Sequence, residues 1–403
     1  MSELATADDP TRVDRAPAPP ARRRPGVGSL IRLAIVVVVA ILPLYLQTAG
    51  LTTGLFAMSA IVAAIGLTLL VGGAGQLSLA HAFFLAVGAY SYAYFAGSSG
   101  VLGASSASGL GFPPLLSGLL AVLAAGFAGL VFSPIASRLR GIYLGVASLA
   151  LVFIGSFVYE NFRTVTGGFN GRAVADFTVP GFSFGPADPQ LFILNVPFGR
   201  YEKLWELFLL LTVLSYIFAQ NILRGRMGRA MQTMRDSEVA AAVMGVDVRR
   251  TKAGAFVLSS MYAGLGGVMV SLAFTRVTPD YFNLPLSISF LAMIVIGGLG
   301  SIGGATLGAT FVIVIPQLLS TYSDRLPFVA AAGSGGGYDP GKISALLYGA
   351  AVIVVVMFEP GGLNALGKRF TGRQHSRTPN PSGTAPAVSP DPARTPISQE
   401  DSA

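Results

Sequence analysis

Cysteine is absent from this 403-residue chain, and histidine occurs only twice. No disulfide framework, thiolate metal site or cysteine nucleophile is available. His375 lies in a polar tail, so a histidine-based metal or catalytic cluster is nearly excluded. Charge is the next shortage. Only 11% of residues are charged, against roughly 25% in soluble domains. From Leu33 to Ser137, a run of 105 residues, no Asp, Glu, Lys or Arg occurs, and His81 is the one basic side chain. A water-soluble domain would not tolerate so much uncharged surface. The chain is built for lipid. Its net charge of +8 would point to nucleic acid in a soluble protein, but many of the basic residues flank apolar segments. Membrane lipid is therefore the expected surrounding, and no nucleic-acid partner is expected.

What is present is a series of apolar runs. A membrane span takes about 20 apolar residues. Candidates lie at about 30–48, 52–71, 79–97, 114–134, 142–159, 204–221, 253–273, 285–298, 304–320 and 343–358. The expectation is an all-α polytopic membrane protein of about ten transmembrane helices. With both termini in the cytoplasm, 20 of the 27 basic residues fall on the inner side, which satisfies the positive-inside rule. The expected organisation is a cytoplasmic N-terminal tail at 1–28, a transmembrane domain at 29–370 and a cytoplasmic C-terminal tail at 371–403. Both tails are too poor in apolar residues to order themselves. Arg22, Arg23 and Arg24 precede the first apolar run like a signal peptide, but the run is a full span without a small-x-small cleavage site, so an uncleaved span is expected.

Four features carry functional readings. The first is the block from Ile222 to Lys252, with seven basic and three acidic residues between two spans. Arg226 to Met244 has helical character, with Met227, Ala230, Met231, Met234, Ala241 and Ala242 on one face and Glu238 in the middle of it. Gly245 is a natural stop, and Asp247 is placed to cap a second short helix. A docking lever for a partner and an interfacial helix lying on anionic lipid both fit. The second is a pair of uncharged glycine strings, Gly72 to Ser78 and Gly297 to Gly304. Broken helices beside a solute path and tight packing through small residues both fit. The third is His81, the intramembrane ionisable group. Satisfaction by a backbone carbonyl explains it more simply than solute contact, and Ser78 is placed to cap the helix that contains it. No intramembrane carboxylate accompanies His81, which argues against a proton relay. The fourth is the long segment 160–203, expected to be an ordered external loop. Its Thr166, Gly168 and Asn170 suit a turn, a gate or a docking surface. A near-match to a phosphate loop, Gly336 to Ile343, ends in Ile where a magnesium-binding hydroxyl is required, and is read as a plain loop.

Together these motifs resemble the permease subunits of branched-chain amino acid ABC transporters, specifically the longer of their two permease types. The resemblance is carried by Gly75 to Phe84 with Gly88-Ala89-Tyr90, by Arg140 to Leu144 with Thr166 to Gly171, and by Ala263 to Gly267. Thr278-Pro279-Asp280 and Gly297 to Gly304 add to it, and Gly228 to Val246 is its most specific part. One departure is Gly361, which stands where the family tends to have a basic residue in a Pro-x-Gly-Leu string.

The resemblance implies an inward transport subunit working by alternating access, itself not an enzyme. It implies that the string at 228–246 is the coupling helix, with Arg229, Arg235, Glu238, Ala241 and Gly245 as coupling residues. Gln76, Ser78, His81 and Tyr143 are the candidates for the transport path. No cofactor is expected on this chain, and ATP and magnesium are expected on a separate ATPase. Implied partners are a second permease subunit, two cytoplasmic ATPase subunits and an extracytoplasmic substrate-binding protein, at the inner membrane. Urea and short amides use similar permeases, so the solute stays open between these and amino acids. An ion-coupled secondary carrier is the remaining alternative.

Overall fold

A computed structural model describes residues 27–97, 109–139, 141–179, 181–185, 191–193 and 196–321, with five positions between 346 and 357. Those five scattered positions are all that is described of the tenth expected span, and the near phosphate loop, Gly361, residues 1–26 and the C-terminal tail lie outside the described residues.

The apolar runs form helices α1 (Val27–Ile41), α2 (Thr48–Leu67), α3 (His81–Ala96), α4 (Pro114–Arg138), α5 (Ile142–Asn161), α7 (Arg200–Arg224), α10 (Val248–Phe274), α11 (Leu284–Gly297) and α12 (Ile302–Thr321). Shorter helices lie between them: α6 (Arg163–Thr166), α8 (Arg226–Asp236) and α9 (Glu238–Val243). Among the described residues, 6 helical stretches are long and apolar enough to cross a membrane: α2 with its continuation to Gly73, α4, α5, α7, α10, and α11 with the turn before it. The chain is therefore a multi-pass, mostly helical membrane protein.

The all-α expectation needs one addition. Among the described residues, six short strands pair two by two outside the spans. Strand β1 (Arg172–Ala173) pairs antiparallel with β6 (Arg276–Val277), β2 (Thr178–Val179) with β3 (Phe182–Ser183), and β4 (Leu191–Ile193) with β5 (Val196–Phe198). They gather at the end of the bundle opposite α8 and α9. The described part of segment 160–203 holds α6 and strands β1 to β5.

The core is built on α2 and α10, whose apolar windows are each 78% buried, while those of α4, α5 and α7 are 33% or less. Packing α10 against three helices at once requires its glycines. A Cβ on Gly264 would strike Ala125 of α4, one on Gly266 would lie 3.0 Å from Ala63 of α2, and one on Gly267 would strike the Leu85 carbonyl of α3. Small residues thus bring backbones together where no hydrophobic effect drives helices to associate. The sole tryptophan ties α1 to α7: Trp205 donates its ring N–H to the Val39 carbonyl at 2.9 Å, with its ring over Gly54 of α2. The outward faces of α4 and α5 remain apolar and exposed, with Phe127 66% and Phe157 69% accessible, as lipid or a membrane partner requires.

Candidate functional site at a broken span and a two-helix lever

Helix α3 has 16 residues, which gives about 24 Å of helix, less than a hydrocarbon core of about 30 Å. The missing length is unwound. Helix α2 passes into a π-helical turn at Thr68–Gly73, and residues 75–80 then run irregularly before α3 starts at His81. Gly75 takes φ +68°, a left-handed conformation suited to glycine. The first glycine string is therefore a true break in a span, not packing alone.

An unwound backbone inside a bundle must find hydrogen-bond partners. Here side chains from distant helices supply them. Ser148 of α5 accepts from the Leu79 N–H at 2.8 Å, and Ser287 of α11 accepts from the Ala82 N–H at 3.0 Å. Ser78, expected to cap α3, instead accepts from the Ala80 N–H at 3.3 Å, one turn early. Ser287 serves the first turn of α3 in its place. His81 is 1% exposed, and its Nε2 lies 2.8 Å from the Ala63 carbonyl. The backbone-carbonyl reading of His81 thus holds, with Nε2 as donor. Phe290 of α11 lies against its ring edge-on. Gln76 differs from these neighbours. It is 5% exposed, and neither amide atom has a hydrogen-bond partner among the described residues. Tyr143, the fourth path candidate, is 71% exposed at the start of α5 and is not brought to this cluster.

The charged block forms a lever of two helices, where the sequence suggested one. Ser237 adopts an extended conformation between them, and its hydroxyl accepts from the Ala240 N–H at 3.2 Å, starting α9 anew. At the near end, a Cβ on Gly228 would strike the Leu223 backbone, so the turn from α7 into α8 is tight. At the far end Gly245 takes φ +82° and stops α9 as expected. Asp247 caps the next helix, its Oδ1 accepting from the Arg250 N–H at 3.0 Å. That helix is the long span α10 and not a separate short one. Met231, Met234 and Ala241 are buried against α4, α5 and α10. Ala241 therefore anchors the lever instead of meeting a partner. Val239, Val243 and Met244 face outward, 70%, 84% and 75% exposed. Arg229 is exposed and turns back to the Arg224 carbonyl at 3.1 Å.

Two contacts join the lever to the bundle. Arg235 Nη1 donates to the Gly72 carbonyl at 2.6 Å, at the end of the π turn. Its side chain lies over Gly75, and Gly300 is within reach of the same nitrogen. Gly72 itself packs on Gly300, where a Cβ would lie 2.5 Å from the Gly300 Cα. The two glycine strings, one in each half of the chain, therefore meet beneath Arg235. The second contact is the ion pair of Lys252 with Glu238, at 2.7 Å. It explains a carboxylate on the apolar face of the lever. Lys252 is 4% exposed at its side chain, Glu238 26%. Removing one member of a pair buried this way costs about 3–5 kcal/mol. Lys252→Met is expected to lower stability by about that amount, and adding Glu238→Gln should restore part of it. Thermal unfolding of the unmodified chain and these two variants in detergent checks this.

A cavity of about 310 Å³ lies between the lever and the broken span, with Gln76, Arg235, Glu238 and Lys252 on its wall. At the opposite end, Thr166 Oγ1 donates to the Tyr159 carbonyl at 2.6 Å and accepts from the Gly168 N–H at 3.1 Å. Gly168 is buried at φ +65°. These two residues build the turn that seats Arg172, which is 4% exposed and donates to the Ala93 and Val165 carbonyls at 2.9 Å each. Asn170 is exposed, and its carbonyl accepts from Arg276 at 3.2 Å.

Comparison with known proteins is decisive at this point. The model of the family described as "Branched-chain amino acid transport system / permease component" matches residues 50–356. The chain belongs to that family. Its members are transport components, not enzymes. The chain is 28% identical over 344 residues to the high-affinity branched-chain amino acid transport system permease protein LivM of Salmonella typhimurium, covering 83% of this chain and 74% of that one. The Escherichia coli LivM protein is 29% identical over 346 residues, with the same coverage. The LivH permease of Salmonella typhimurium is 30% identical over 97 residues, covering 24% of this chain and 31% of that one. The likeness to LivM thus spans the fold, as expected for the longer permease type. No solved structure matches.

The sequence pointed to Arg235 and Glu238 but not to the partners that fix them. Lys252 was visible only as one more basic residue. Ser148 and Ser287 carried no signal, since a serine in a span looks the same whether it caps a distant backbone or its own.

Proposed function

We propose that the chain is the permease subunit of an importer that moves branched-chain or related amino acids inward across the inner membrane by alternating access. Separate ATPase subunits drive it, and ATP and magnesium reside on them. The observation that carries this reading is the join at Arg235. An outward-facing helix with an apolar tip is tied through one arginine to the place where both glycine strings cross. A push on α9 would reach α2 and the α11–α12 turn directly. Interrupted spans of this kind flank solute sites in transporters. The lever end is then cytoplasmic, and the strand-bearing end faces the substrate-binding protein. Partial likeness to LivH beside extensive likeness to LivM supports pairing with a second, shorter permease.

The exposed Val239, Val243 and Met244 are the proposed ATPase contact. An apolar anchor at the centre of an interface contributes about 2 kcal/mol or more. Val243→Glu is expected to weaken ATPase association by roughly thirtyfold while the permease still folds, because the side chain is already in solvent. Co-purification of the ATPase with the variant, together with leucine uptake in vesicles, tests it. Association and uptake both at the level of the unmodified chain would sink the assignment.

A further inference from the structure

We propose that the cavity between the broken span and the lever binds a small zwitterion, so that solute on the lever side occupies a site shared by both moving parts. The inference rests on the transport reading above and adds a site to it.

Gln76 carries the argument. A buried amide with neither atom paired is rare in a settled fold, because burial strips its water. Gln76 lies on the cavity wall, 5% exposed, and presents both a donor and an acceptor. Ser237 adds a hydroxyl, and the charged wall residues come in both signs: Arg235 and Asp236, with Lys252 and Glu238 already paired to each other. An inorganic anion would face two carboxylates, and a metal ion would face two cations. A molecule that carries one charge of each sign meets neither penalty. Its carboxylate would take the Gln76 NH₂ and its ammonium the Gln76 carbonyl. Leu139, Leu144 and Met234 complete the wall with apolar surface, which suits an aliphatic side chain. At about 310 Å³ the space lies at the small end of ligand pockets, right for a single amino acid. Because Arg235 lines the cavity and also holds Gly72, an occupant would bear on the join between lever and span.

The chain has no cysteine, so Leu139→Cys puts one reactive thiol on the wall. The permease–ATPase complex, its other subunits made cysteine-free, is placed in nanodiscs without binding protein. The rate of labelling by a polar maleimide is read with L-leucine or urea present. L-leucine is expected to slow labelling saturably, by about fivefold, and Gln76→Leu to raise the protecting concentration about tenfold by removing the paired polar contacts. Unchanged labelling in L-leucine, with L-leucine uptake intact in vesicles, overturns this site and leaves the transport reading standing. Loss of L-leucine uptake from the native complex removes both. Protection by urea alone overturns the zwitterion assignment. So does protection that Gln76→Leu leaves unmoved. A thiol blocked until the ATPase is stripped would make the cavity the seat of a partner side chain and overturn the proposal. If Gln76→Leu does not fold, the chain with native Gln76 still decides through protection by L-leucine.

Discussion

Replacing Arg235 with Gln is expected to cut ATP-driven uptake by about tenfold, the scale of a coupling free energy between sites, while the chain stays folded and keeps its ATPase. The geometry separates these outcomes. Arg235 is exposed overall, so losing its charge creates no buried vacancy. What goes is the 2.6 Å hydrogen bond to the Gly72 carbonyl, one of the terminal carbonyls that a helix end leaves without partners. The guanidinium also suits the negative end of the α2 dipole. Glutamine is shorter and neutral and cannot span the same gap. The outward face of α9 is untouched, so docking through Val243 and Met244 should persist. ATP hydrolysis that continues while uptake falls is the signature of a lever cut from its load. Uptake within about twofold of the unmodified chain would show that the Arg235 contact transmits nothing. The Arg235→Lys variant refines the reading: it keeps a charge but loses the planar fork, and should recover only part of the uptake.

The parts of this arrangement were unequally legible in the sequence. The first nine expected span positions coincide with helices, because a run of apolar residues about 20 long has few alternatives. The tenth is described at five scattered positions only. Gly245 and Asp247 were legible as stop and cap, because both act on neighbouring backbone. The length of the helix that Asp247 caps was not, since a cap fixes where a helix starts and not where it ends. The break at Ser237 was not foreseen. The apolar periodicity of 226–244 continues across it, and only the serine side chain turning to its own backbone reveals the restart. Ser78 failed as the cap of α3 for the opposite reason. The helix starts at His81, three residues beyond it, and the Ala82 N–H in the first turn is met by Ser287, 205 residues away. Contacts at that separation leave no local pattern. Glu238 shows the same limit. Its misfit on an apolar face was visible, but its partner Lys252 belongs to the next span. Tyr143 came with a family-like string and lies on an exposed face, so its string identified the family without placing it at the break.

Gly88→Leu is expected to remove most of the folded protein. Gly88 of α3 sits directly on Gly264 of α10, where even a Cβ would lie 2.5 Å from the Gly264 Cα. No rotamer relieves that contact, since the opposing atoms are backbone. The two helices would have to separate by more than the width of a methyl group. Separation cannot stay local. Gly264 also accepts Ala125 of α4 on its other side, and Gly267, one turn along α10, meets the Leu85 carbonyl of α3. Moving α3 outward also draws Ala82 away from Ser287 and His81 away from the Ala63 carbonyl. Each buried polar group so released costs about 1–3 kcal/mol, beyond about 1–3 kcal/mol for overpacking. The sum is comparable with the whole stability of a typical domain, about 5–15 kcal/mol. Size-exclusion profiles and thermal unfolding in detergent should therefore show aggregation or a large loss of midpoint. Gly88→Ala is the graded case, a smaller shift of the same kind. A Gly88→Leu chain with unchanged midpoint would mean that α3 and α10 do not cross at this point, and the placement of the broken span beside α11 would fall with it.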